Sequence, residues 1–124
     1  MKNAKQAFLA SILKKGEHYA GIILGKDGQP DHHLILLPAQ ASDVTFAQAQ
    51  EFATKAGGEL PTRREQSLLY ANPKEEFEER WYWSGEQHAS SSVCAWGQKF
   101  SNGDQYTNHK DYEYRARAVR RLVI

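Results

Sequence analysis

The residues that could carry chemistry are few and scattered. The one cysteine, Cys94, sits in the apolar stretch Val93-Cys94-Ala95-Trp96 with no histidine close by in sequence. A thiol in apolar surroundings stays protonated, so this position reads as a buried, inert thiol. The five histidines (His18, His32, His33, His88 and His109) form no His-x-x-x-His pair, and no Cys-x-x-Cys occurs. His32 and His33 are neighbours on an expected strand, point to opposite faces and cannot share one ion. Glu75, Glu76, Glu78 and Glu79 read as a solvated helical face rather than an acid–base pair. Gly21-x-x-x-Gly25 lacks the Lys-Ser/Thr that completes a phosphate loop. No catalytic residue, metal ligand or cofactor is expected.

Binding chemistry is better supplied. Between Trp83 and Arg115 the chain is rich in Tyr, Ser, Asn, Gln and His. Such surfaces suit recognition, because tyrosine gives contact area at low entropic cost. The candidate contact residues are Gln98, Asn102, Gln105, Tyr106, Asn108, His109, Tyr112 and Tyr114, expected on late loops. Polar loop filler with locally packed tyrosines is the simpler alternative, and the composition leaves both open. Tyr112 and Tyr114 are expected to be replaceable by alanine without loss of the fold. Arg115, Arg117 and Arg121 alternate on one face of an expected terminal strand. Nucleic acid is a possible partner for them. Pairing with the acidic 75–79 stretch and protection of a sheet edge is the favoured reading.

The elements that must position these residues follow from periodicity. Ala4 to Lys15 reads as an amphipathic helix through Phe8, Leu9, Ile12 and Leu13, with Gly16 just beyond its end. It either packs on its own domain or joins two copies of the chain. His18 to Gly25 and His32 to Leu37 read as a hairpin around Asp27-Gly28, with Pro38 ending the second strand. Ser42 or Asp43 is the expected cap of a helix from Thr45 to Ala56, which Gly57-Gly58 stops. Thr62 and Glu65 form a capping box that starts a helix from Arg63 to Ala71, burying Leu68 and Leu69. Strands are then expected at Trp81–Ser84, Val93–Phe100 and Arg115–Val123, with Asn102-Gly103 as a hairpin turn. Trp83 and Trp96 are expected in the core, and Ser84 is expected to satisfy a backbone group. Helices first and strands later point to an α+β domain.

With 124 residues the chain has the length of one domain. Hydrophobic residues make up 40% and charged residues 25%, which excludes a disordered tail. Mean hydropathy is −0.71, and no apolar run approaches the roughly 18 residues of a membrane span. No secretory leader is expected, since Ser11, Lys14 and Lys15 interrupt the segment after the basic start. The net charge of +1 argues against a protein built mainly to grip phosphate backbones. The excess is local: residues 110–124 carry five basic and two acidic side chains. A single cysteine fits a reducing, cytoplasmic location.

An ordered set of motifs resembles a known family. It comprises Gly57-Gly58-Glu59-Leu60-Pro61-Thr62-Arg63-Arg64-Glu65, Tyr82-Trp83-Ser84, Ala95-Trp96, Phe100-x-x-Gly103-x-Gln105 and the close Arg115-Ala116-Arg117-Ala118-Val119-Arg120-Arg121-Leu122. This is similar to the Lcl C-terminal-like domain of unknown function, common in phages and prophages. Gly16 to Gly21 and Leu34 to Pro38 resemble the short phage version. The resemblance implies a C-type-lectin-like fold over residues 16–124, with residues 1–15 as an additional N-terminal helix, in the same domain or as an oligomerisation element. The formylglycine-generating enzymes share the leucine-proline-threonine helix start, but they use a pair of cysteines and this chain has one. The tripeptide Gln29-Pro30-Asp31 occurs in calcium-binding lectins in a late loop with a Trp-Asn-Asp partner. Here it falls in an early turn without that partner, and reads as ordinary turn chemistry.

The resemblance and the residues together imply a non-catalytic module that recognises a protein partner through its late loops, with no membrane association. Homo-oligomerisation through residues 4–15 is possible. Two alternatives are a phage counter-defence inhibitor of a host nucleic-acid-acting complex and a virion receptor-attachment domain.

Overall fold

The computed structural model describes residues 3–124. Those residues form α1 (Ala4–Ile12), β1 (His18–Ile23), β2 (His32–Val44), α2 (Phe46–Lys55) and α3 (Arg63–Ala71). A short 3-10 turn (Lys74–Glu76) follows, then β3 (Trp81–Gln87), β4 (Cys94–Lys99), β5 (Gln105–His109) and β6 (Tyr114–Val123). The strands make one six-stranded sheet in the order β1-β2-β6-β3-β4-β5. All pairings are antiparallel except the short contact between β3 and β6. The α+β class is therefore the observed one.

Each α-helix opens on a closed capping box: Asn3 with Gln6, Thr45 with Gln48, and Thr62 with Glu65. In each, two backbone N–H groups that lack helical partners are satisfied reciprocally. The period of two along β6 divides the core. Ala116 and Ala118 face a cluster with Phe46, Ala49 and Ala53 of α2, and with Leu60 and Trp83. Val119 faces a second cluster with Leu69 of α3, and with Leu34, Leu36, Phe77, Tyr82 and Phe100. The helices α2 and α3 thus cover opposite faces of the sheet.

Gly57 and Gly58 are needed for different reasons. Gly57 has φ +91°, which ends α2. A Cβ on Gly58 would lie 2.2 Å from the Val119 carbonyl oxygen. That carbonyl accepts from the Glu59 N–H at 3.0 Å, and the Val119 N–H returns a bond to the Glu59 carbonyl at 2.8 Å.

Several expectations need correction. β2 does not end at Pro38 but runs on to Val44. Pro38 falls where the register with β6 shifts, between Leu36 and Gln40, so its missing N–H interrupts no ladder bond. Because β2 is long, the cap of α2 is Thr45, not Ser42 or Asp43. Helix α1 stops at Ile12 with an extended Leu13, and Gly16 belongs to the following turn. α1 buries none of its residues: Phe8 stays 40% exposed, with its ring centroid 5.0 Å from that of His33. Residues 105–109, expected as loop, form the edge strand β5. Among the described residues, no helix is long and apolar enough to cross a membrane.

Candidate functional site

The sheet face that carries α2 continues beyond the helix, and aromatic rings line it there. Trp83 is fully buried, edge-on to Phe46 at 5.5 Å, and its indole N–H donates to the Val44 carbonyl at 2.9 Å. Trp81, two residues earlier on β3, faces the same side. Tyr114 of β6 packs against Trp83 at 4.7 Å and Trp81 at 5.9 Å. Tyr106 of β5 meets Trp81 edge-on at 6.0 Å, and Tyr112 meets Tyr114 edge-on at 6.2 Å. The result is a continuous row, Tyr106–Trp81–Tyr114–Tyr112. Its outer members, Tyr106 and Tyr112, are 58% and 54% exposed. Gly97 makes room beneath the row: a Cβ there would lie 3.1 Å from the Tyr82 carbonyl oxygen and 3.7 Å from Trp81. Lys99 stands opposite Trp81 in the β3–β4 register.

Tyr114 is half-buried. Burial pushes its hydroxyl pKa above the usual tyrosine range, and nearby Tyr112 adds to the rise. Tyr114 is part of the packing around Trp83, so its replacement by alanine bears on stability as well as on the exposed surface, whereas Tyr112 is exposed.

The same alternation sends Gln98 and Gln105 to the opposite face, against α3. Gln98 is buried; its side-chain amide donates to the Gln66 carbonyl at 2.7 Å and accepts from Gln105 at 2.8 Å. Gln105 also donates to the Arg63 carbonyl at 2.9 Å and accepts from Arg63 Nε at 3.2 Å. As contact residues of the tyrosine surface, Gln98 and Gln105 are withdrawn. Asn102 closes the β4–β5 turn, its side chain accepting from the Asp104 N–H and donating to the Asp104 carboxylate, both at 3.0 Å. Asn108 lies opposite Ala95 and shares the tyrosine face, whereas His109 lies opposite Cys94 on the other. Only Asn102 and Tyr112 of the eight candidates sit outside strands. Trp81 completes the row without having been a candidate. The alternation in Trp81-x-Trp83 was the available signal.

Cys94 is half-buried, and its register neighbour His109 is a proximity the sequence spacing did not show. No hydrogen bond links them: His109 Nδ1 accepts from the Asp111 N–H at 3.1 Å. Trp96 is half-buried rather than sealed in the core. Ser84 does satisfy backbone groups, donating to the Trp96 carbonyl at 2.8 Å and accepting from the Glu86 N–H at 3.1 Å.

The terminal arginines do not pair with the carboxylates of the 75–79 stretch. Arg121 holds Glu65 through Nε at 2.7 Å and Nη2 at 2.8 Å, and also binds Glu59. His32 and the Thr62 N–H contact Glu65 at 2.7 and 2.8 Å. Burial raises the Glu65 pKa, but these partners, Arg121 first, outweigh it and hold the carboxyl below its ordinary value. Arg120 forks onto Glu17 at 2.9 and 2.8 Å. Arg117 is buried and donates to the Glu76 and Leu37 carbonyls at 2.6 and 2.9 Å. Arg115 bonds the Ser42 hydroxyl at 2.8 Å. Glu75, Glu78 and Glu79, on the short turn and its exit, are exposed. Among the described residues, no group of three or more His, Cys, Asp and Glu side chains gathers to hold a metal ion.

The chain matches no protein-family model, and no curated protein matches it.

Proposed function

We propose that this chain is a non-catalytic binding module with a C-type-lectin-like scaffold, of the Lcl C-terminal-like phage type, that recognises a protein partner. The contact surface is the row Tyr106–Trp81–Tyr114–Tyr112, with Asn108 on the same face. One observation carries the reading: a row of aromatic rings lies on an open sheet face, with its two end rings more than half exposed. Aromatic residues are the groups that dominate protein interfaces, because their burial yields much area for little lost freedom. A sheet flanked by α2 and α3 on opposite faces is in keeping with the lectin-like scaffold. A direct nucleic-acid role for the terminal arginines is disfavoured, since Arg120 and Arg121 already hold carboxylates and Arg117 is buried.

The test is affinity purification from host cells with wild-type protein and a Tyr106→Ala/Tyr112→Ala variant. A specific protein should be captured by the wild type and retained at least tenfold less by the variant, whose circular dichroism stays unchanged. Equal capture by both would reject the surface. Capture of nucleic acid alone would reject the partner class.

A further inference from the structure

A polar chain on the α3 side of the sheet ends at a single guanidinium. The Gln66 main-chain carbonyl holds the Gln98 amide, Gln98 holds Gln105, and Gln105 fixes Arg63 Nε. A buried amide such as that of Gln98 is costly unless it is bonded, and apolar side chains at 98 and 105 would fill such a space with less risk. What the chain of amides achieves is to hold Arg63. Trp96 completes the clamp, its ring centroid 3.4 Å from the guanidinium carbon. A side chain held this way has lost its rotational freedom before any ligand arrives.

Its binding capacity nevertheless remains open. Neither Nη atom of Arg63 has an acceptor among the described residues, and no carboxylate pairs with Arg63 or Arg64. Arg64 makes one side-chain bond, to the Leu24 carbonyl at 2.9 Å. Both arginines line a cleft of about 580 Å3, together with His32, Ser67, Glu86 and Gln105. That volume lies within the roughly 300–1,000 Å3 of small-molecule sites. Two carboxylates line the cleft, and Arg121 neutralises one of them, Glu65. Glu65 is held by Arg121, His32 and Thr62, and Glu86 accepts from the Arg63 N–H at 2.6 Å.

We propose that this cleft binds a small organic anion, whose phosphate or carboxylate oxygens are held by Arg63 and Arg64. Arg63 presents two parallel N–H groups to one anion, the geometry in which arginine reads such groups best. Gln98 and Gln105 are positioning residues that act through Arg63. The site lies on the face opposite the tyrosine row and does not depend on that row's function.

The test is an NMR titration of the arginine Nε–H and tryptophan indole signals with inorganic phosphate and, separately, acetate. Sodium chloride at equal ionic strength is the reference. A saturable shift of the Arg63 Nε–H with at least one of the two anions is expected, and the stronger response identifies the preferred group. Arg63→Lys keeps the charge but loses the fork, and should weaken binding tenfold or more, as should Arg64→Gln at the exposed neighbour. Gln105→Met should weaken it severalfold and speed solvent exchange of the Arg63 Nε–H. A response no different from chloride for both anions, or undiminished affinity in Arg63→Lys, would overturn the assignment.

Discussion

Glu65 of α3 and Arg121 of β6 are joined by two parallel hydrogen bonds of 2.7 and 2.8 Å, with the carboxylate almost wholly removed from solvent. The pair ties the helix that opens the second half of the chain to the strand that closes the sheet. Its electrostatics set an acid limit on stability. The Glu65 pKa in the fold lies below its ordinary 4.5, so the unfolded chain takes up this proton first as pH falls. A depressed carboxylate contributes stability that is present above the unfolded pKa and is lost as pH falls through the folded one. Urea unfolding from pH 7 to pH 2 should therefore show stability declining from about pH 4.5 downward. Glu65→Gln should flatten this decline. At pH 7 it should lose about 3 kcal/mol, the low end for breaking a buried pair, because Arg121 keeps Glu59 as a partner. An identical acid profile in Glu65→Gln would refute the linkage.

The tyrosine row separates binding from folding at the level of single side chains. Tyr106 and Tyr112 project into solvent, so alanine at either should change stability by no more than about 0.5 kcal/mol. Tyr114 lies against Trp83 and Trp81 and is half-buried. Tyr114→Ala should lose about 2 kcal/mol, roughly half of what truncating a fully buried aromatic costs. Denaturant midpoints on the three variants check the order. Equal losses at Tyr106 and Tyr114 would contradict the packing described.

Local chemistry was the legible part of this sequence. The capping box Thr62–Glu65 is readable because both partners lie within one turn, and the Asn102-Gly103 turn because glycine adopts the φ of +82° required there. What pairs with what across the sheet was not legible. Arg121 meets Glu65 rather than the acids of 75–79, because Arg117 is the one beside Glu76 and Arg121 lies four residues further along β6, next to the start of α3. Gln98 and Tyr106 both stood out as polar or aromatic residues in a polar segment. Their fates differ because they face opposite sides of the β4–β5 ladder, where Gly97 pairs with Tyr106 and Gln98 with Gln105. A one-residue change of register would exchange the two sets. The extension of β2 past Pro38 was equally hidden, since only the partner strand shows that the proline falls in a register shift.

The two glycines after α2 should respond very differently to substitution. An alanine at Gly57 meets open space and carries only the strain of φ +91°, about 1 kcal/mol. An alanine at Gly58 would drive its Cβ to 2.2 Å from the Val119 carbonyl oxygen. The backbone must separate there, and the paired bonds between Glu59 and Val119 open with it. Gly58→Ala should therefore lose about 3 kcal/mol, the upper range for overpacking. Equal destabilisation of the two variants would mean that conformation, not close approach, sets the requirement.

Arg117 is the buried charge without a carboxylate. Its guanidinium donates to two main-chain carbonyls and lies 5.3 Å from the Phe77 ring centre, while Nε has no partner. Burial lowers its pKa, against opposing contributions from Tyr82 and Glu76. Desolvating a cation is expensive, and carbonyl dipoles recover only part of that cost. Arg117→Met keeps much of the volume and removes the charge, so its loss should stay below about 1.5 kcal/mol. Arg117→Ala opens a cavity beside Phe77 as well, and should lose about 3 kcal/mol. Guanidinium unfolding of both variants at pH 7 checks the pair. If methionine proved as damaging as alanine, the two carbonyl bonds rather than the filled volume would be what Arg117 contributes to the joint between β2 and the turn at Glu76.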